Sequence, residues 1–124
     1  EKQAARMAAW LDRQLPDGAK VLASPAVRTE QTARALGRKF KTHAALAPLA
    51  TPEQLLELVQ WPHAKGCYVV VGHQPTLGQT IARLIGLTET ECAVKKGAIW
   101  WLRYRERDAE GHTVVVTVQS PDLL

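Results

Sequence analysis

From Cys67 to Gly72 the chain reads Cys-Tyr-Val-Val-Val-Gly, with no charged or amide side chain. A strand solvated on one face alternates apolar and polar residues, whereas an unbroken apolar run fits a strand covered by helices on both faces, as in a parallel sheet. The run stops at Gly72-His73-Gln74. A helix over Pro75–Ile85 follows, with Leu77, Ile81, Leu84 and Ile85 at helical spacing and Gly86 as its stop. An earlier segment repeats this architecture. Lys20–Ser24 reads as a short strand, Pro25 suits a first turn, and Ala33, Leu36 and Phe40 predict a helix over Thr29–Phe40 with Gly37 as a mild interruption. Each unit presents one side chain suited to anions where strand passes into helix: Arg28 in the first, His73 in the second.

The remaining elements fit around these two units. Ala4, Met7, Ala8, Leu11 and Leu15 predict an amphipathic helix over residues 1–15, ending before Pro16-Asp17-Gly18. Its entrance carries no Ser, Thr, Asp or Asn cap, which reads as a piece whose preceding turn lies upstream. Lys41–Ala50 reads as irregular. Thr51-Pro52-Glu53-Gln54 has the pattern of a capping box with proline at the first helical position, and Leu55, Leu56 and Val59 give that helix an inward face. Trp61-Pro62 ends it. Ala98–Tyr104 and Thr113–Gln119 read as two late strands joined by a hairpin over Arg107–Gly111, with Trp100 and Trp101 on opposite faces. The order α-β-α-α-β-α-β-β predicts one domain over 1–124. Its expected architecture is a three-layer α/β/α sandwich whose sheet is mostly parallel with a late hairpin.

A chain of 124 residues, 46% of them hydrophobic, can bury a single core. Sixteen basic against twelve acidic side chains give a net charge of +4, a weak bias towards anionic ligands. The basic residues are scattered and no aromatic-basic interleaving accompanies them, so no nucleic-acid partner is expected. No apolar run approaches the ~20 residues that cross a bilayer, and no membrane association is expected. Cys67 and Cys92 form neither a CxxC pair nor a zinc-type spacing with the four histidines. They read as reduced thiols of a cytoplasmic protein, with no metal and no cofactor.

In open α/β sheets ligands bind beyond the carboxyl ends of the strands, where Arg28 and His73 are predicted to lie. A guanidinium offers a planar fork of donors matched to phosphate oxygens, and the free N–H groups of a helix start add partial positive charge. The chemistry these residues suit is phosphate chemistry, with the backbone N–H of Gln74 as a further donor. Each alone has a plainer reading, a helix-start surface arginine and a strand-end histidine, and it is their joint context that favours a site. Ser24 lacks the Gly-x-Ser-x-Gly setting of a nucleophile and is expected to shape its loop. Glu53 and Glu57 read as a dipole partner and a solvated face. Glu30 and Arg34 read as a solvated helix pair, and His43, His63 and His112 as surface histidines. Lys95-Lys96-Gly97 reads as a solvated turn, with a border of the pocket as the alternative.

Ser24-Pro25-x-x-Arg28-x-x-Gln31-Thr32, followed by Gly72-His73, resembles the histidine phosphatase (phosphoglycerate mutase-like) superfamily, and within it the SixA-type phosphohistidine phosphatases. The resemblance extends over nearly the whole chain. It implies that Arg28 clamps a phosphoryl group, that His73 is the second histidine of the pocket and that the N–H of Gln74 points inward. In that family an Arg-His motif on the first strand supplies the nucleophile. No Arg-His dipeptide occurs here. The nucleophile is therefore expected upstream of residue 1, and the 124 residues alone are expected to be inactive.

Phosphoglycerate mutases also place a catalytic Glu in a segment that corresponds to Leu46-Ala47-Pro48-Leu49, where no carboxylate stands. An alkoxide leaving group needs a general acid far more than imidazole, whose conjugate acid has a pKa of about 6.5. The expectation is a metal-independent phosphatase acting on phosphohistidine in a partner protein and releasing inorganic phosphate. A small phosphate ester hydrolase or mutase-like enzyme is the first alternative. A non-catalytic phosphate- or phosphoprotein-binding domain is the second.

Overall fold

The computed structural model describes residues 2–124, so the predicted helix start at Glu1 lies outside it. The elements are α1 (Lys2–Gln14), β1 (Lys20–Ala23), α2 (Val27–Ala35), β2 (Phe40–Thr42), α3 (Pro52–Leu58), β3 (Tyr68–Val71), α4 (Thr76–Ile85), β4 (Ile99–Arg107) and β5 (Glu110–Gln119). Short 3₁₀ turns form at Ala44–Leu46 and Pro121–Leu123. β2, β1 and β3 make a parallel sheet in that order, with Val21 opposite both Phe40 and Val69 and Ala23 opposite both Thr42 and Val71. β4 and β5 form a separate antiparallel ribbon.

This order decides where the helices lie. The step from β1 to β2 goes one way along the sheet, and the step from β2 to β3 returns across β1. Right-handed crossovers then place α2 and α3 on opposite faces. α1 packs with α2 and α4 with α3, which completes the three layers. Ala8, Leu11 and Leu15 meet Val21 and Ala23 of β1, Ala33 of α2 and Leu36 at its carboxyl end in the main core. Ala23 and Ala33 are both 0% exposed and lie in the same core cluster, where α2 packs on β1. Arg38 closes the carboxyl end of α1: it donates to the carbonyls of Asp12, Leu15 and Pro16, and its Nε lies 2.6 Å from Asp12 Oδ1.

The α/β class, the parallel sheet and the late hairpin match the sequence reading, and four local expectations are corrected. The helix predicted to reach Phe40 ends at Ala35, because Gly37 adopts φ +72 and stops it. The chain released there forms β2, within a stretch expected to be partly helical and partly irregular. The hairpin is tighter than Arg107–Gly111. Asp108 and Ala109 both have positive φ, the two-residue turn that matches strand twist, so β4 and β5 extend to Arg107 and Glu110. β3 is half-buried at all four positions, with β1 as its only strand partner among the described residues. The inward side of α4 is also rotated: Thr76, Gly78, Thr80, Ile81 and Ala82 are its buried residues, whereas Leu77, Leu84 and Ile85 are half-buried. Of the paired tryptophans, Trp101 packs on the main core.

The capping box of α3 is present in full, with Thr51 Oγ1 accepting from Gln54 N and Gln54 Oε1 accepting from Thr51 N. Thr51→Ala should cost about 1 kcal/mol, read as a lower urea midpoint with an unchanged slope. Cys67 and Cys92 are free thiols. Burial pushes the Cys67 thiol up from its ordinary value, an effect opposed by the charge of Arg38. Stability from keeping it neutral is present below its unfolded pKa and fades as pH rises through the raised folded value. Iodoacetamide at mildly alkaline pH should modify Cys67 more slowly in the folded protein than in urea, and equal rates would contradict this protection.

Candidate functional site

β1 and β3 are the strands from which the chain departs towards opposite faces, α2 to one side and α4 to the other. A crevice opens between their carboxyl ends at such a switch point. The last rung of the ladder there is Ser24 N donating to Val71 O at 2.9 Å. Ser24 is the first residue after β1 and His73 the second after β3, and their side chains meet beyond the strand ends. Ser24 Oγ lies 2.7 Å from His73 Nε2, and Ser24 is 0% exposed.

The turn after Ser24 is tied down from within. Thr29 Oγ1 donates to Ser24 O at 2.8 Å and to Ala26 O at 2.9 Å, folding the loop under the first turn of α2. Arg28 stands in that turn, exposed, and its guanidinium has no hydrogen-bond or ion-pair partner among the described residues. Ala26 and Pro75, which precede α2 and α4, supply no side-chain cap. α2 therefore leaves first-turn N–H groups for other acceptors, whereas at α4 Gly78 N is taken by Gln74 Oε1. His73 O accepts from Leu77 N at 3.0 Å, which fixes His73 against the start of α4. Thr76 Oγ1 donates to Ala50 O at 2.7 Å and draws the loop before α3 to the same helix start.

The structure thus brings Ser24 and His73 into contact and sets Arg28 one short loop away. The side chain of Gln74 turns back along α4, where its Oε1 accepts from Gly78 N at 3.1 Å. Lys95 pairs with Asp122 and is held there, away from the role of a free cation at a pocket border. His63 lies edge-on to Tyr104, and His112 lies 3.7 Å from Glu110. His43 is exposed but nearer the site than a plain surface histidine: its N–H bonds Ala23 O beside Ser24, and its Nδ1 accepts from Ala45 N. Sequence reasoning gave Ser24 only a loop-shaping part. Its signal was available, since a hydroxyl directly after an apolar strand must find a partner if the strand end is buried.

No carboxylate bonds to Ser24, Arg28 or His73 among the described residues. Glu53, the nearest acid in the sequence reading, pairs with Arg83 across α3 and α4. Its hydrogen bond to that guanidinium is the largest cause holding its carboxyl below the usual range, so it stays ionised and is a poor proton donor. Glu57 is exposed. Ser24 and His73 have the separation of a nucleophile and its base, but complete burial denies Ser24 access to a substrate. The arrangement can hold an anion between Arg28, the imidazole and the start of α2. Among the described residues no group of three His, Cys, Asp or Glu side chains could hold a metal ion.

No protein-family model and no curated protein matches the chain. Solved structures do. One, described as "Putative Phosphohistidine Phosphatase SixA" from Nakamurella multipartitia, is 23% identical with a TM-score of 0.74, covering 97% of this chain and 80% of that one. Another of the same description, from Agrobacterium tumefaciens, is 20% identical with a TM-score of 0.71, covering 97% and 79%. The chain therefore has the fold of these SixA structures, an α/β fold.

One glycine keeps the start of α4 in place. Gly78 O accepts from Cys92 N at 2.9 Å, and a Cβ on Gly78 would run into the Cys92 carbonyl and lie 3.1 Å from Gln74 Oε1. Backbone cannot yield as a side-chain tip does. Gly78→Ala should cost about 1–3 kcal/mol and shift the His73 ring resonances, both measurable by denaturation and NMR.

Proposed function

We propose that this chain belongs to a phosphatase that hydrolyses phosphohistidine on a partner protein, with Arg28, His73 and the backbone N–H of Gln74 holding the phosphoryl group. The observation that carries this reading is the meeting of His73 and Ser24 at the switch point, one loop from the unpartnered guanidinium of Arg28. Phosphoryl transfer depends chiefly on positioning and on donors aimed at the equatorial oxygens, and these groups supply both. The SixA description of the two structural neighbours supports the same class.

The attacking group is a histidine carried by a strand upstream of residue 1. Two open edges support this placement. β3 pairs only with β1 and β4 only with β5 among the described residues, yet Val69 and Val71 of one and Ile99 and Trp101 of the other pack on the same core. In the first step the attacking imidazole nitrogen bonds to phosphorus as the substrate's P–N bond breaks, and the departing imidazole takes up a proton. Water then cleaves the enzyme's own P–N bond, releasing inorganic phosphate and restoring the histidine. The leaving imidazole needs no strong acid, in keeping with the absence of a carboxylate bonded to Ser24, Arg28 or His73 among the described residues and the pairing of Glu53 with Arg83. Residues 1–124 alone bind phosphate without turnover.

Arg28→Ala in protein that includes the attacking histidine should lower kcat/KM on a phosphohistidine-bearing domain by about a hundredfold or more with the fold retained. Circular dichroism checks the fold. Unchanged turnover would remove the assignment, and equal efficiency on simple phosphate esters would move it to a phosphomonoesterase.

A further inference from the structure

We propose that Ser24 is a positioning residue that decides which ring nitrogen of His73 can donate to a bound anion. The inference deepens the phosphate-site reading of His73 and rests on it. A neutral imidazole has one N–H and one acceptor nitrogen, and its tautomer follows from what each nitrogen meets. Nε2 is occupied by Ser24 Oγ at 2.7 Å. Nδ1 has no hydrogen-bond partner among the described residues, so it is the nitrogen left for a ligand. The unprotonated oxygens of a phosphoryl group offer only acceptors. Nδ1 must therefore carry the proton, and the Ser24 hydroxyl must donate to Nε2.

The surroundings of Ser24 suit this task. Its N–H is fixed to Val71 O and its carbonyl accepts from Thr29 Oγ1, so the backbone at both sides of the side chain is held. At 0% exposure no water competes for the hydroxyl. A hydroxyl can also rotate. When His73 takes up a second proton, Ser24 Oγ becomes the acceptor for Nε2–H at the same separation, and the ring keeps its place as its charge changes. A backbone carbonyl could serve only the cationic ring or the Nε2–H tautomer, and a methyl group neither.

The test reads the ring directly, in protein that includes the attacking histidine, by long-range ¹H–¹⁵N NMR at a pH where His73 is neutral. The proton is expected on Nδ1 with Nε2 as acceptor. In Ser24→Ala, which removes the hydroxyl without adding volume, the ring should shift towards the Nε2–H form. Inorganic phosphate, titrated as the probe, should bind about fivefold more weakly, the loss typical of one hydrogen bond. Ser24→Thr, if it folds, should restore the Nδ1–H signature. A neutral wild-type ring protonated on Nε2 overturns the proposal without any variant, as does an unchanged tautomer in folded Ser24→Ala. The expected tautomers with no phosphate binding by the wild type would uphold the Ser24–His73 link and remove the phosphate reading instead.

Discussion

The parallel pairing of β1 with β3 is the constraint on which the rest of this structure depends. In a strand the side chains alternate faces, so a slip of one residue would turn every one of them over. Here the register sets Ala23 against Val71, so that Ser24 stands level with Gly72 and His73 follows one residue further along. The ladder continues one bond past the strand, through Ser24 N and Val71 O. Shifted by a residue, the chain would point the Ser24 hydroxyl away from the imidazole and leave a buried polar group unsatisfied, at a cost of about 1–3 kcal/mol. The pairing and the site therefore reinforce one another. The packing of α2 extends the constraint to Arg28, because Ala33 is fully buried in the core it shares with Ala23 of β1.

The charge distribution follows a similar logic. Glu30, Asp12, Glu53 and Asp122 each lie against a basic partner: Arg34, Arg38, Arg83 and Lys95. Such exposed pairs add little stability. Their consequence for function is that these carboxylates are neutralised where they stand and project little negative field towards the crevice. Arg28 has no such partner among the described residues, and the uncapped start of α2 adds partial positive charge of the same sign. The crevice is thus cationic through local arrangement more than through the modest net charge of +4.

Much of this was legible in the sequence because the strong signals were local. The capping box at Thr51–Gln54, the apolar run before Gly72 and the stop at Gly86 are each decided by neighbours a few residues apart, and each is present in the structure. β2 was missed because three residues carry no periodicity, and Phe40-Lys41-Thr42 is a strand only because β1 offers it an edge. The short turn at Asp108-Ala109 was missed because alanine seldom takes positive φ, so the conformation came from the pairing of its flanking strands. Arg28 and His73 stood out by their position after strands. Ser24 did not, because its partner lies on another strand and only the register reveals the contact.

The β4–β5 ribbon shows how far that contact reaches through the molecule. A two-stranded ribbon is marginal in water by itself, and this one exposes Val115, Val116 and Val118. It is held through Ile99 and Trp101, which lean on the main core, and through the segment before it, which returns to α4 by the Cys92–Gly78 bond. That bond is made at the residue whose N–H also binds Gln74, the neighbour of His73. The ribbon and the crevice therefore share the first turn of α4 as a common support.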